Sequence, residues 1–381
     1  MRSPGARRLT ETSKNREYSL DALRGVAAMM VVIAHTTIAG LYNVEPLWGY
    51  LKWTPLRLLW SGHQAVVLFF VLSGFALVRM WQAIRSNRYD AYFVARVTRL
   101  FPPYICSVLL ALVVYNLVAG FIEWDKGWMN IPKPSFTYSS ILDHVLMVGW
   151  FNTSEINPPI WSIIHEMRIS LVFPLIYMLV SRFSWRAVAG FYLMSAVIGW
   201  ALLGNVPLSP IQTHFLLTLH YSSFFALGAV IALHQKSLCR FFTKIEGRRR
   251  SALWVTAAMV YAYSFDNSWS IGSRAFGDMV TGVGAAVIVC LALSDTSTLL
   301  VRCGSYLGKI SYSLYLNHVL VLNLSVLFFY QAYGSLMVWA VTIVGALILS
   351  ALMYKFIEVP SISISRYLRR RMLLQQPVQI S

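Results

Sequence analysis

An arginine and a histidine, Arg24 and His35, stand inside one apolar run near the start of the chain, residues 19–40. Ionisable groups within a membrane span are expensive, so they usually face a bundle interior and do work there. Their spacing carries a helix back to within roughly 20° of its starting face and advances it roughly 16 Å. The two side chains therefore share one face at two depths. That geometry suits a long, thread-like anion, gripped by a guanidinium at one end and acted on by an imidazole at its tip.

A carboxylate is available for the imidazole. Glu166 lies a few residues into an inward-running apolar segment, about 7 Å from its outer edge, while His35 is about 24 Å from the inner edge of its own. In a hydrocarbon core roughly 30 Å thick the two occupy similar depths. A carboxylate beside a histidine fixes its tautomer and supports its use as a general base. A buried pair that merely ties two helices together is the structural alternative.

Arg96 and Arg99 stand three apart at the cytoplasmic entrance to the third apolar run, followed by Tyr104. Arginines at that spacing share a helix face, and the guanidinium fork suits bidentate phosphate contacts. With Arg24 they would form a three-arginine anion site. Snorkelling to lipid headgroups is the other reading for the pair. Ser311, Tyr315 and His318 follow an i, i+4, i+7 pattern and line one face of the ninth run, as site residues or as polar contacts between helices. Ser73-Gly74 in the second run reads as a close helix crossing. Ser162 is a candidate helix cap, and Glu358 is expected to pair with a basic residue. His63, His144, His165, His214, His220 and His234 show no decisive partner.

These residues need a membrane bundle to position them. The 381 residues are 57% hydrophobic and only 12% charged, with a mean hydropathy of +0.59. An ordinary soluble domain does not show such values. Runs near 19–40, 64–82, 103–121, 161–181, 187–203, 213–234, 251–266, 276–294, 309–330 and 335–357 are long enough to approach or cross a bilayer, which takes about 20 helical residues. The expected fold is an all-α polytopic bundle of about ten transmembrane helices. Lys and Arg concentrate in alternate connections, 23 against 5, with the other four in spans or at their ends. By the positive-inside rule both termini are cytoplasmic.

The organisation expected is a cytoplasmic tail over 1–17, a membrane domain over 18–360 and a cytoplasmic tail over 361–381. The first run is expected to stay in the bundle, because His35 interrupts it and no small-residue cleavage pattern follows. The connection 122–159 holds a short apolar patch at 141–150, read as an interfacial or re-entrant piece on the outer face. The net charge of +17 is scattered over short inner loops, which points to anionic membrane lipids rather than nucleic acid. Cys106, Cys239, Cys290 and Cys303 lie in spans or inner loops, so neither a disulfide framework nor a metal site is expected.

Taken together and in order, several motifs resemble acyltransferase family 3. They are Asp21-x2-Arg24-Gly with His35 ten residues on, the Phe-Phe-Val-Leu-Ser73-Gly-Phe run, Arg96-x2-Arg99-Leu-x-Pro-x-Tyr104, Trp161-Ser-x3-Glu166, and Ser311-Tyr-x2-Tyr315-Leu-x-His318. The resemblance covers nearly the whole chain. It implies a multi-pass O-acyltransferase of the bacterial inner membrane. The donor would be a cytoplasmic acyl-CoA, usually acetyl-CoA, used as co-substrate with no bound cofactor. The acceptor would be a hydroxyl of a cell-surface polysaccharide, a lipopolysaccharide O-antigen sugar or a lipid-linked sugar. The family's functional positions carry over to Arg24, His35, Arg96 and Arg99. The sequence departs from the family pattern at Ile169 and Ser170, where an aromatic pair is usual.

The mechanism expected has Arg24, Arg96 and Arg99 on the coenzyme phosphates and His35, supported by Glu166, at the thioester. Asp21, Ser73, Tyr104, Ser311, Tyr315 and His318 are further lining positions. Two rival classes are a secondary transporter or flippase for a sugar or lipid-linked intermediate, and a non-catalytic sensor of a phosphorylated metabolite.

Overall fold

The computed structural model describes residues 4–41, 50–51, 53–84, 88–118, 138–147, 156–264, 271–295 and 298–374. Within these the chain is helical and shows no strand. In hydrocarbon every backbone N–H and C=O needs an internal partner, and a helix supplies one without help from neighbours.

The helices are α1 (Pro4–Leu41), α2 (Gly62–Gln82), α3 (Tyr89–Val118), α4 (Tyr138–Leu146), α5 (Trp161–Phe183), α6 (Trp185–Trp200), α7 (Pro210–Leu233), α8 (Gln235–Thr243), α9 (Gly247–Ala262), α10 (Ile271–Ser294), α11 (Thr298–Met353) and α12 (Val359–Leu374). Eight stretches among the described residues are long and apolar enough to cross a bilayer. The last, Gly304–Leu374, takes in two of the expected runs, 309–330 and 335–357, on either side of Gly334. There the backbone turns to φ 72°, a conformation that glycine adopts at no steric cost. The expected run at 251–266 corresponds to α9, only 16 residues long. The chain is a multi-pass α-helical membrane protein.

Two compact units are distinguished. One comprises Met1–His35, Leu41–Val78 and Leu175–Ser311; the other comprises Thr36–Gly40, Arg79–Pro174 and Tyr312–Ser381.

In the first unit small residues let helix backbones approach closely. A Cβ on Gly74 of α2 would fall 2.1 Å from the Phe225 carbonyl oxygen of α7, and one on Gly228 of α7 would fall 1.9 Å from that of Val71. The Ser73-Gly74 pair is thus a close crossing, and Gly228 is its counterpart. Gly304 and Gly308 of α11 meet Ala22 and Asp21 of α1 in the same way, with Gly25 against Gly308. Such approach is how membrane helices gain dispersion contacts where lipid removes the hydrophobic drive. Because the obstructing atoms are backbone, Gly228→Ala is expected to force α2 and α7 apart at a cost of about 1–3 kcal/mol. A lower melting temperature of the detergent-purified protein, read by thermal-shift fluorescence, checks this.

In the second unit α12 lies along α3. Pro102 and Pro103 sit inside α3, and proline has no N–H to give to the carbonyl four residues back. The carbonyls so released are those of Thr98 and Arg99. Ser361 of α12 answers both, its hydroxyl donating to Thr98 O at 2.5 Å and to Arg99 O at 3.3 Å, while Ser365 donates to Ala95 O at 2.6 Å. Residues expected as a tail after 360 therefore begin as a packed helix. At the other end α1 extends back to Pro4, through residues expected as the amino-terminal tail.

Candidate functional site

The first unit carries Asp21, Arg24, His35, Ser73 and Ser311. Arg24 and His35 lie on one uninterrupted helix, so the expected offset of one face and two depths holds. The Arg24 guanidinium donates to Asp21 Oδ1 at 3.0 Å and to the Leu72 carbonyl at 3.4 Å. Asp21 thereby gains a definite role, orienting the arginine from one helical turn away. The His35 Nδ1–H points at the Val31 carbonyl, 2.9 Å away. That tautomer places the basic lone pair on Nε2. Ser73 is half-buried beside the Gly74 crossing. Ser311 turns back on its own helix, donating to Gly308 O at 2.8 Å.

The second unit carries Arg96, Arg99, Tyr104, Glu166, Tyr315 and His318. Arg96 on α3 is buried and Arg99 exposed, so the two arginines do not present equally. Arg96 Nη2 donates to Glu166 Oε1 at 2.5 Å, and its Nε donates to Ser170 Oγ at 3.0 Å. Tyr92 closes the group by donating to Ser170 O at 2.8 Å. Glu166, expected to serve a histidine, thus has an arginine as an ion-pair partner. Ser170, where the sequence departs from the family pattern, gives that arginine a neutral acceptor.

Other positions in this unit act between helices. Tyr315 of α11 shares a hydrogen bond with Ser162 at 2.7 Å and donates to Pro159 O at 3.0 Å. Ser162 therefore contacts a neighbouring helix instead of capping its own. Tyr104 donates to His144 O in α4 at 2.9 Å, and His318 Nδ1–H lies 2.8 Å from Tyr315 O. Glu358 accepts from Ser313 Oγ at 2.7 Å, and the Arg99 charge acts on its carboxylate. Asn157, which sequence reasoning passed over, donates to Leu316 O at 2.7 Å.

A second array that sequence reasoning missed lies in the first unit. Asp278 of α10 is buried, and its carboxylate contacts His63 Nε2 at 2.7 Å and His220 Nε2 at 3.4 Å. His220 Nδ1 in turn lies 2.5 Å from Ser195 Oγ. Among the described residues no group of three or more side chains is arranged to hold a metal ion. Cys106, Cys239 and Cys290 form no disulfide among the described residues; Cys303 lies outside the described side chains.

Residues 17–355 match the family model described as an acyltransferase domain. The chain belongs to this acyltransferase family. The acyltransferase is 25% identical to nodulation protein 10 of Rhizobium leguminosarum bv. viciae, over 95% of this chain and 98% of that protein. It is 27% identical to the acyltransferase MdmB of Streptomyces mycarofaciens, over 44% of this chain and 41% of that one. It is also 27% identical to the O-acetyltransferase PaAT-1 of Phomopsis amygdali, over 48% of this chain and 46% of that one. No solved structure matches it. The family match encloses every expected site residue, from Asp21 to His318.

Proposed function

We propose that this acyltransferase moves an acyl group, acetyl by expectation, from cytoplasmic acyl-CoA to a hydroxyl of a cell-surface polysaccharide or lipopolysaccharide O-antigen sugar, in the inner membrane of a bacterium. The observation that carries the reading is the family match over residues 17–355, laid on a chain whose intramembrane arginine and histidine share one unbroken helix. A relative named as an O-acetyltransferase supports acetyl as the group moved.

The chemistry asks for an anchor and a base. Arg24, steadied by Asp21, meets a phosphate of the coenzyme. Arg96 acts mainly by holding Glu166. His35 Nε2 takes the proton from the acceptor hydroxyl as that oxygen attacks the thioester carbon. The carbon–sulfur bond then breaks, and the thiolate leaves with the proton returned through the imidazole. Ester and free coenzyme thiol are the two products.

Inside-out vesicles from cells expressing the chain, supplied with acetyl-CoA radiolabelled in the acetyl group, test this. Label is expected in base-labile ester linkage to the glycan or lipid-linked sugar fraction, with one thiol released per ester. Uptake or flipping of sugar without thiol release would replace the enzyme with a carrier.

A further inference from the structure

In the first unit α6, α7, α8 and α10 enclose a groove of about 500 Å³, a volume ordinary for a small-molecule site. Helix periodicity builds its walls. On α6 the lining runs from Trp185 through Val188 to Tyr192, and on α10 from Cys290 through Val287 back to Val283. Each set keeps to one face of its helix. Leu238 and Phe242 of α8 form the floor. The Tyr192 hydroxyl is buried against Gly282, where a Cβ would fall 2.6 Å from it, so the closed end presents ring carbon. The groove is lined for a hydrocarbon chain and offers a polar ligand nothing to bond. Seven residues of helix make either wall roughly 10 Å long, about a third of the hydrocarbon core. A chain that fills it enters from one leaflet.

The mouth has the opposite character. At that end α6 begins, α7 stops and α8 follows directly. Trp185 stacks on His234, the residue joining α7 to α8, with ring centroids 6.2 Å apart, and Ser184 Oγ lies 2.7 Å from His234 Nε2. Arg182 and Arg186 flank this contact, and Lys236, Arg240 and Lys244 are exposed on α8 and just beyond it. Glu246 is the single acid across 182–186 and 235–250. α8 is therefore apolar toward the groove and basic outward, the pattern of a helix lying at headgroup level.

We propose that the groove binds one hydrocarbon chain of an anionic phospholipid, drawn from the leaflet beside the basic connections, with the headgroup phosphate held by Arg186, Lys236 and Arg240. Charge complementarity selects this occupant. A neutral lipid would fill the groove but leave the cationic rim unmatched. A second copy of the chain, packed symmetrically, would bring its own basic rim against this one. The lipid site is independent of which acyl group the enzyme moves.

Full-length protein in phosphatidylcholine vesicles tests this. The vesicles are doped with photoactivatable phosphatidylglycerol, or with photoactivatable phosphatidylcholine carrying the same chain-end diazirine. Irradiation and peptide mapping are expected to place adducts around Tyr192 and Val283, more from phosphatidylglycerol than from phosphatidylcholine, with the difference shrinking at high salt. In the double variant Lys236→Gln, Arg240→Gln, two exposed cations are lost. The unlabelled phosphatidylglycerol needed to displace the probe should then rise about 10–30-fold. Val287→Trp fills a half-buried stretch of the groove and should abolish the adducts while the melting temperature in detergent is retained. If that variant melts early, the surface charge variant decides. Equal labelling by the two lipids, or displacement unchanged in the double glutamine variant, overturns the proposal, as does labelling that survives in a stably folded Val287→Trp. A dimer in size-exclusion that Val287→Trp breaks also overturns it, assigning the groove to a second copy.

Discussion

Replacing His35 with alanine is expected to cut acyl transfer by about 10²–10⁴-fold, the span that a positioned general base contributes, while the protein accumulates in the membrane at its normal level. The second half of that expectation follows from the local structure. The imidazole bonds the Val31 carbonyl four residues back on its own helix. That carbonyl lies inside α1, where the backbone N–H of residue 35 is its regular partner. Alanine is the strongest helix former and leaves this ladder intact. A half-buried position in a span also tolerates an apolar methyl. Quantitative immunoblotting of membranes alongside label transfer separates the two effects. Glutamine at the same position should be equally inactive, because an amide does not take up a proton at neutral pH. Undiminished product from the alanine variant would remove His35 from the chemistry.

Much of the bundle was legible because a bilayer simplifies the code. A run of apolar residues of sufficient length has to be a helix; the expected runs over 64–82 and 276–294 fall within α2 and α10, and that over 213–234 overruns α7 by one residue. The Ser73-Gly74 pair announced a close crossing because only small residues permit one. The Arg24 and His35 relationship was legible for the same reason: both residues sit on one helix, where spacing alone determines angle and rise.

What spacing does not give is the neighbour on the next helix. Glu166 was singled out on grounds of depth, which many side chains share, and its Arg96 partner on α3 is not readable from spacing. Ser162 stood where a cap belongs, but a tyrosine hydroxyl reached it from α11. The prolines in α3 were visible, whereas the two carbonyls they release were answered by Ser361 of α12, a segment polar enough to read as a tail. Asp278 was the most recoverable omission. An acid within the run 276–294 is as anomalous as His35 within 19–40, and the same argument about buried charge would have singled it out. Its histidine partners, 215 and 58 residues away in sequence, would still have required coordinates.

Loss of either member of the Arg96–Glu166 pair is expected to be the most damaging single change to the fold. Their side chains are 7% and 15% exposed, and removing one partner of a buried pair strands the other charge at a cost of about 3–5 kcal/mol. Against the roughly 5–15 kcal/mol that separates folded from unfolded states in a typical soluble domain, that is a large share. Glu166→Gln and Arg96→Gln alone should therefore each reduce the amount of folded protein recovered by size-exclusion in detergent. The double variant, which strands no charge, should recover much of it. Restored folding in the double variant also settles a chemical question that neither single variant addresses. If Glu166 serves only to hold Arg96, the refolded double variant regains transfer in proportion to its amount. If the carboxylate or the guanidinium also contributes to the reaction, the double variant folds and stays inactive per molecule. Structural pairing and catalytic use predict the same loss for each single substitution, because a protein that does not accumulate transfers nothing. They part only once the charge has been removed from both sides.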